Sequence, residues 1–170
     1  MLSFDIRSLE SQAAHVDGRL APDDPVWENG DVRPSEPIKV EGRLSAAGAS
    51  RFYFSGRIHG KTEMPCRRCL KEVEVQVAED AHFIFSSEGE DVADDPDVFP
   101  FDPLAATLDL RPAVREAWLL AVPGFALCRE DCKGLCPNCG IDWNEGTCEC
   151  VPATIESRWE ALRAIRDKLP

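Results

Sequence analysis

The sequence predicts an α+β protein: an antiparallel β-rich body, a meander or small barrel, followed by C-terminal helices and a cysteine-rich region. Three observations predict it. Apolar residues alternate with polar ones in several runs of the first half, the period of a half-buried strand. Beyond residue 109 apolar spacing widens to the three and four of a helix. All eight cysteines fall in two places: Cys66 with Cys69, and six between residues 128 and 150.

In order along the chain, Leu2, Phe4 and Ile6 alternate with polar residues and form a weak first strand. Residues 18–37 hold Pro22, Pro25, Pro34, Pro37, Gly18 and Gly30 and read as a loop. Ile38, Val40 and Leu44 alternate with Lys39, Glu41 and Arg43, and the segment Ala46 to Ser50 turns the chain into a second run of Phe52, Phe54 and Ile58. After Cys69 the alternation resumes with Val73, Val75 and Val77 and continues toward Phe83 and Phe85. Short turns between such runs predict the meander or barrel. Asp109 is read as the N-cap of a helix with Pro112 in its first turn and Val114, Trp118 and Leu119 at helical spacing; Pro123-Gly124 ends it near Val122. A last helix is expected from about Ala153 to Lys168, with Ile155, Trp159, Leu162 and Ile165 on one face. The expected division is a body with one helix over residues 1–127 and a metal-binding segment with the terminal helix over 128–170, packed as one unit.

The composition, 44% hydrophobic and 29% charged over 170 residues, allows a real core. No stretch approaches the roughly 20 apolar residues that span a bilayer. Charges at Asp5, Arg7, Glu10, Asp17 and Arg19 interrupt any apolar leader, so a cytoplasmic protein with reduced thiols is expected. Net charge is −12, and seven acids without a base lie between Glu88 and Asp102. This stretch reads as a solvated loop or as a contact surface for a basic protein. The acid excess disfavours general phosphate binding, which needs clustered Lys and Arg.

The second cysteine set occupies positions 128, 132, 136, 139, 148 and 150. Zinc takes four thiolate or imidazole ligands in a tetrahedron, and two thiols a few residues apart on a tight turn supply half of it. Gly140 after Cys136-Pro137-Asn138-Cys139 lets the backbone curl toward the sulfurs. The preferred partition joins Cys136, Cys139, Cys148 and Cys150 in a local site, and Cys66, Cys69, Cys128 and Cys132 in a site that pins the body to a C-terminal zinc-knuckle region. One zinc with spare thiols, or a different grouping of the pairs, stays open at this point. Disulfides are disfavoured in a reducing compartment. A redox pair at Cys66 and Cys69 would want its first thiol at a helix N-terminus, whereas strand-like runs flank it. An iron–sulfur cluster uses the same thiolates, and spacing alone does not separate the two. An all-cysteine set leaves no open position for catalytic zinc, His15, His59 and His82 lack ligand spacing, and no triad can be read, so no enzymatic activity is expected. Trp143 is placed to cover the local site, and Trp118 and Trp159 belong to helix faces of the core.

Cys66-Arg67-Arg68-Cys69-Leu70, Leu108-Asp109-Leu110 leading to Glu116 and Val122-Pro123, the run from Cys128 through Cys132-Lys133-Gly134-Leu135-Cys136-Pro137-Asn138-Cys139-Gly140, and Arg158-Trp159-Glu160-Ala161-Leu162 together resemble the YceD family, the large ribosomal RNA subunit accumulation proteins. The resemblance runs from about residue 38 to 165. Where the family usually has Asn-Leu-Asn after the Cys-Gly turn, this chain has Ile141-Asp142-Trp143-Asn144. The resemblance implies a factor needed for normal levels of large-subunit ribosomal RNA. In many bacterial genomes the family's gene lies beside that of a small basic large-subunit ribosomal protein. The expected partner is therefore such a protein or a pre-ribosomal particle, met by the acidic surface. Direct contact with ribosomal RNA through Arg67, Arg68 and Lys71, with Arg51 and Arg57 nearby, is the alternative. A zinc-ribbon transcription or redox regulator is a third reading, disfavoured by the mixed charge of the last helix.

Overall fold

Alternation decides the frame. In the computed structural model, which describes residues 1–48, 50–87 and 98–150, the apolar runs become long antiparallel strands. They are β2 (Ala14–Leu20), β3 (Ile38–Ala46), β4 (Arg51–Pro65) and β5 (Glu72–Ser86), preceded by β1 (Ser3–Asp5) and the short helix α1 (Ile6–Ser11). β6 (Val98–Pro100) adds a parallel strand to β5, giving the order β2-β3-β4-β5-β6. The body is thus an antiparallel meander, and among the described residues its sheet is open. β7 (Thr107–Asp109) pairs with β1 as a separate ribbon and feeds helix α2 (Arg111–Ala121).

One face of the meander is apolar. Val16, Leu20, Ile38, Val40, Leu44, Phe54 and Ile58 are fully buried, and Phe83 and Phe85 continue the layer. Each such side chain contributes about 1.5–3 kcal/mol by leaving water. α2 closes this face through Val114 and Trp118, both fully buried. The Trp118 indole donates to the Val32 carbonyl at 2.8 Å. Gly60 makes room for that ring: a Cβ there would lie 2.6 Å from Trp118 Cζ3.

The β4–β5 hairpin sets the position of the cysteines. β3 pairs with β4 only as far as Lys39 opposite His59, while β4 and β5 stay paired to Pro65 opposite Glu72. The hairpin therefore extends beyond the core, and Cys66 to Lys71 form its tip.

Several expectations need correction. Ile6 starts α1, whose N-cap is Asp5, with its carboxylate accepting from the Ser8 N–H at 2.8 Å. The predicted loop at 18–37 begins only after Leu20, because β2 carries Val16 and Leu20 inward around Gly18. A side chain at Gly18 would strike Leu2, 2.5 Å away. The rest of that loop is tied to α2 by charge: Arg115 holds both Asp31 oxygens at 2.7 and 3.0 Å, and Arg111 reaches Asp24 at 3.4 Å. The N-cap of α2 is Leu110, not Asp109; Asp109 stands one residue earlier, accepting from the Arg111 N–H at 3.0 Å and pairing with its guanidinium. α2 ends at Ala121 before Pro123-Gly124, as the proline and glycine require. The expected last helix, 153–168, and all but the end of the acidic run lie outside the described residues.

Candidate metal centres

Two turns of the same design present the first thiols. At the hairpin tip the Leu70 N–H donates to the Cys66 carbonyl (2.9 Å) and the Cys66 N–H to the Lys71 carbonyl (2.8 Å). In the C-terminal region the Gly140 N–H donates to the Cys136 carbonyl and the Cys136 N–H to the Ile141 carbonyl, both at 2.9 Å. The fifth residue of each turn has positive φ, +75° at Gly140 and +62° at Leu70. Glycine adopts that conformation freely, whereas a leucine does so at a cost of about 1–2 kcal/mol.

The eight thiols gather into two groups of four, Cys66, Cys69, Cys128 and Cys132, and Cys136, Cys139, Cys148 and Cys150, the sulfurs of each within 4.8 Å of one another. In the first, Cys69 Sγ lies 3.6 Å from Cys128 Sγ, and Cys66 Sγ 3.9 Å from Cys132 Sγ. Disulfide sulfurs would stand about 2.05 Å apart. A tetrahedron of sulfurs around zinc at about 2.3 Å has edges of about 3.8 Å. The donor set and its spacing therefore fit a tetrahedral metal ion, and either group could hold one. In the first group Cys66, Cys69 and Cys132 are buried with Val73, Leu127 and Leu135 packed around them, a small cluster apart from the main core.

The electrostatics alternate within each group. The N–H groups of Cys69 and Cys128 draw the Cys66 thiol down to about 6, and those of Cys139 and Asn138 do the same for Cys136. Desolvation of its sulfur and the neighbouring thiols push Cys128 up to about 12. Cys150 is pushed up to about 12, by Cys139 first and then by desolvation. Burial pushes Cys132 up, but the Asn144 amide and the Gly134 N–H outweigh it and hold that thiol below its ordinary value. Each group thus mixes thiols held down by N–H donors with thiols pushed up by desolvation and by their neighbours, the pattern expected where four sulfurs share a space too small for four uncompensated charges.

The surrounding polar groups fix these loops. The Arg68 guanidinium donates to the carbonyls of Glu130 (3.1 Å) and Cys132 (2.8 Å), and the Leu135 N–H returns to the Arg68 carbonyl (3.0 Å). Lys71 pairs with Asp142 at 3.2 Å and with Glu145, which together raise its pKa. Trp143 Nε1 points to Cys148 Sγ at 3.5 Å, so the indole meets one sulfur of the local group. Sequence reasoning missed Asn144, whose amide nitrogen lies 3.4 Å from Cys132 Sγ. No spacing rule announces such a contact, because it is made between two groups that meet only in the fold. The histidines join neither group; His82 Nδ1 instead bonds the Tyr53 hydroxyl at 2.9 Å.

The fold and the cysteines together define a β-meander protein whose hairpin tip joins a C-terminal cysteine segment in one four-thiol group, with a second such group inside that segment. The chain belongs to the YceD family: the model described as large ribosomal RNA subunit accumulation protein YceD matches residues 54–166. Membership connects the chain with accumulation of large-subunit ribosomal RNA and with ribosome-related partners. It is similar to YlbN of Bacillus subtilis, 26% identical over 165 residues that cover 95% of this chain and 93% of that protein. Rv2926c of Mycobacterium tuberculosis is 34% identical over 89 residues, 51% of this chain and 42% of the relative. ML1660 of Mycobacterium leprae is 28% identical over 106 residues, 61% of this chain and 48% of that protein. This chain thus spans less than half the length of those mycobacterial relatives. No solved structure matches the chain. Among the described residues no helix is long and apolar enough to cross a membrane.

Proposed function

We propose that this protein is a non-enzymatic, cytoplasmic accessory factor of large-subunit biogenesis that binds a basic ribosomal protein, with two structural zinc ions fixing its shape. Cys66, Cys69, Cys128 and Cys132 would hold one ion, and Cys136, Cys139, Cys148 and Cys150 the other. A bound dication neutralises the crowded thiolates and cross-links the loops that carry them. The observation that carries the choice of partner is the engagement of the bases in an acidic chain. Net charge is −12, and of the bases expected to meet RNA, Arg68 is held by two carbonyls, Lys71 by Asp142 and Glu145, and Arg57 by Asp80 at 2.7 Å. A phosphate would have to displace these partners, whereas a basic protein meets the acid excess directly and is steered by it.

Direct RNA contact has support at one spot. Arg67 lies over the exposed Phe125 ring, 4.4 Å from its centroid, a flat cation–aromatic pair on which a base could stack.

The test is retention of purified large-subunit ribosomal proteins, one at a time, by the metal-loaded chain at about 0.15 M salt, with large-subunit ribosomal RNA fragments in parallel. The expected result is retention of one or a few basic proteins, weakened by deleting residues 88–97, which spares β6, and no retention of RNA. Retention of RNA alone, falling steeply with salt and with Arg67→Ala, would replace this reading by the second.

A further inference from the structure

The core-facing stripe of β5 contains one residue that does not belong there. Val77, Ala81, Phe83 and Phe85 are buried, but Glu79, on the same side and opposite the buried Ile58, is exposed. It opens onto a cleft of about 370 Å³ between β5 and α2. The floor is apolar: Phe83 and Phe99 meet edge to face at 5.7 Å, and Ala117 lies on the helix side. α2 contributes Glu116 and, one turn on, Leu120, which is 80% exposed. Among the described residues neither Glu79 nor Glu116 has a hydrogen bond or ion pair. The Arg115 guanidinium lies in the field of Glu116 but is already committed to Asp31. Two open carboxylates thus flank an apolar trough; Asp80 on the rim is already paired with Arg57.

We propose that this cleft is the docking site for a basic segment of the protein partner, which inserts one apolar side chain onto Phe83, Phe99 and Leu120 and sets Lys or Arg side chains against Glu79 and Glu116. The proposal rests on the ribosomal-protein reading above and names the surface for it. Charge complementarity selects this occupant. Phosphate is repelled by the carboxylates, and an apolar or acidic peptide would leave them unpaired or worse. The trough falls within the size range of sites that accept an apolar anchor, and placing the charges around it combines anchor and steering in one patch.

The experiment titrates each purified basic large-subunit ribosomal protein into the full metal-loaded chain, with poly-L-lysine as a charge-only probe. The variants are Glu79→Gln with Glu116→Gln, Leu120→Ser alone, and a control removing the same charge elsewhere, Glu10→Gln with Glu36→Gln. All alter exposed positions, and circular dichroism and thermal melting check that each folds. The expected result is a Kd raised about tenfold or more by the cleft pair and by Leu120→Ser, and within about twofold of the parent for the control. If a ribosomal protein binds the parent and the cleft variants equally, the cleft is wrong while the ribosomal-protein reading stands. Equal losses in the control, or poly-L-lysine binding as tightly as any ribosomal protein, would reduce the effect to net charge and overturn the site. If no ribosomal protein binds the parent, both readings fall.

Discussion

The amide nitrogen of Asn144 lies 3.4 Å from Sγ of Cys132, although Asn144 sits in the loop of one four-cysteine group and Cys132 belongs to the other. Its amide oxygen accepts from the Lys133 N–H at 2.9 Å, and its nitrogen also meets Asp142 Oδ1 at 2.6 Å. The adjacent Trp143 turns the opposite way, to Cys148. Two consecutive side chains therefore touch one sulfur in each group.

Asn144→Ala should weaken metal at the first group by about 10–100-fold, the usual effect of losing a partner that orients a ligand. Competition against a graded chelator, with cobalt as a spectroscopic substitute, reads the two sites separately. Equal weakening of both, or of neither, would refute the contact as a determinant of affinity.

Removing the metal should open the cysteine loops and leave the meander folded, because Cys66, Cys69 and Cys132 pack in a cluster separate from the main core. Amide exchange on chelated protein should rise over residues 66–71 and 126–150 and stay slow in β3 and in β4 up to Ile58. Global unfolding on chelation would contradict the separation of the two clusters.

The matched turns predict opposite responses to exchanged residues. A Cβ at Gly140 meets nothing within 4 Å, so Gly140→Ala costs backbone strain alone, about 1 kcal/mol. Leu70→Gly relieves that strain at a residue 62% exposed, and should be neutral or stabilising by up to about 1 kcal/mol. Urea unfolding of the metal-loaded variants gives both signs.

Trp118→Ala should cost about 3–5 kcal/mol, since it empties the space between α2 and the sheet and leaves the Val32 carbonyl without its donor. Gly60→Ala should also destabilise, by crowding the same ring. Denaturant midpoints at constant slope provide the comparison.

The Arg115 side chain and then the Glu28 N–H hold the Asp31 carboxyl below its ordinary value of 3.8. The folded pKa is the lower one, so this stabilisation is complete above the unfolded value and is lost as pH falls through the folded value. Asp31→Asn should therefore be destabilised relative to the parent at neutral pH, with the gap closing below about pH 4. A gap independent of pH would assign the loss to packing.

What could be read from the sequence follows from the range of each interaction. β3, β4 and β5 were legible because Val40, Phe54 and Phe83 each sit in a period-two pattern over many residues. β2 was not, because Gly18 replaces an inward apolar residue and Pro22 and Pro25 follow closely. α1 is six residues long, too short for a period to emerge. The pairing of Arg115 with Asp31 spans 84 positions, and nothing local marks either as the other's partner. For the candidate metal centres the cysteine spacing indicated the pairs, since ligand turns are local, but left their combination open, because Cys69 and Cys128 meet across 59 positions. The roles of Arg68 and Asn144 were invisible because both act between segments.

The first thiol group also imposes an order on synthesis. Cys69 and Cys128 are 59 positions apart, and at about 5–20 residues per second the second emerges some 3–12 s after the first. During that interval the hairpin tip exposes two sulfurs with no means of completing a set. The other four lie within residues 136–150 and can assemble almost as soon as they leave the exit tunnel. Because Cys132 emerges before Cys136, the first set is whole while the local one still waits for Cys150, so the nascent chain can fasten its long loop to the waiting hairpin before the segment that carries Asp142, Trp143 and Asn144 is finished.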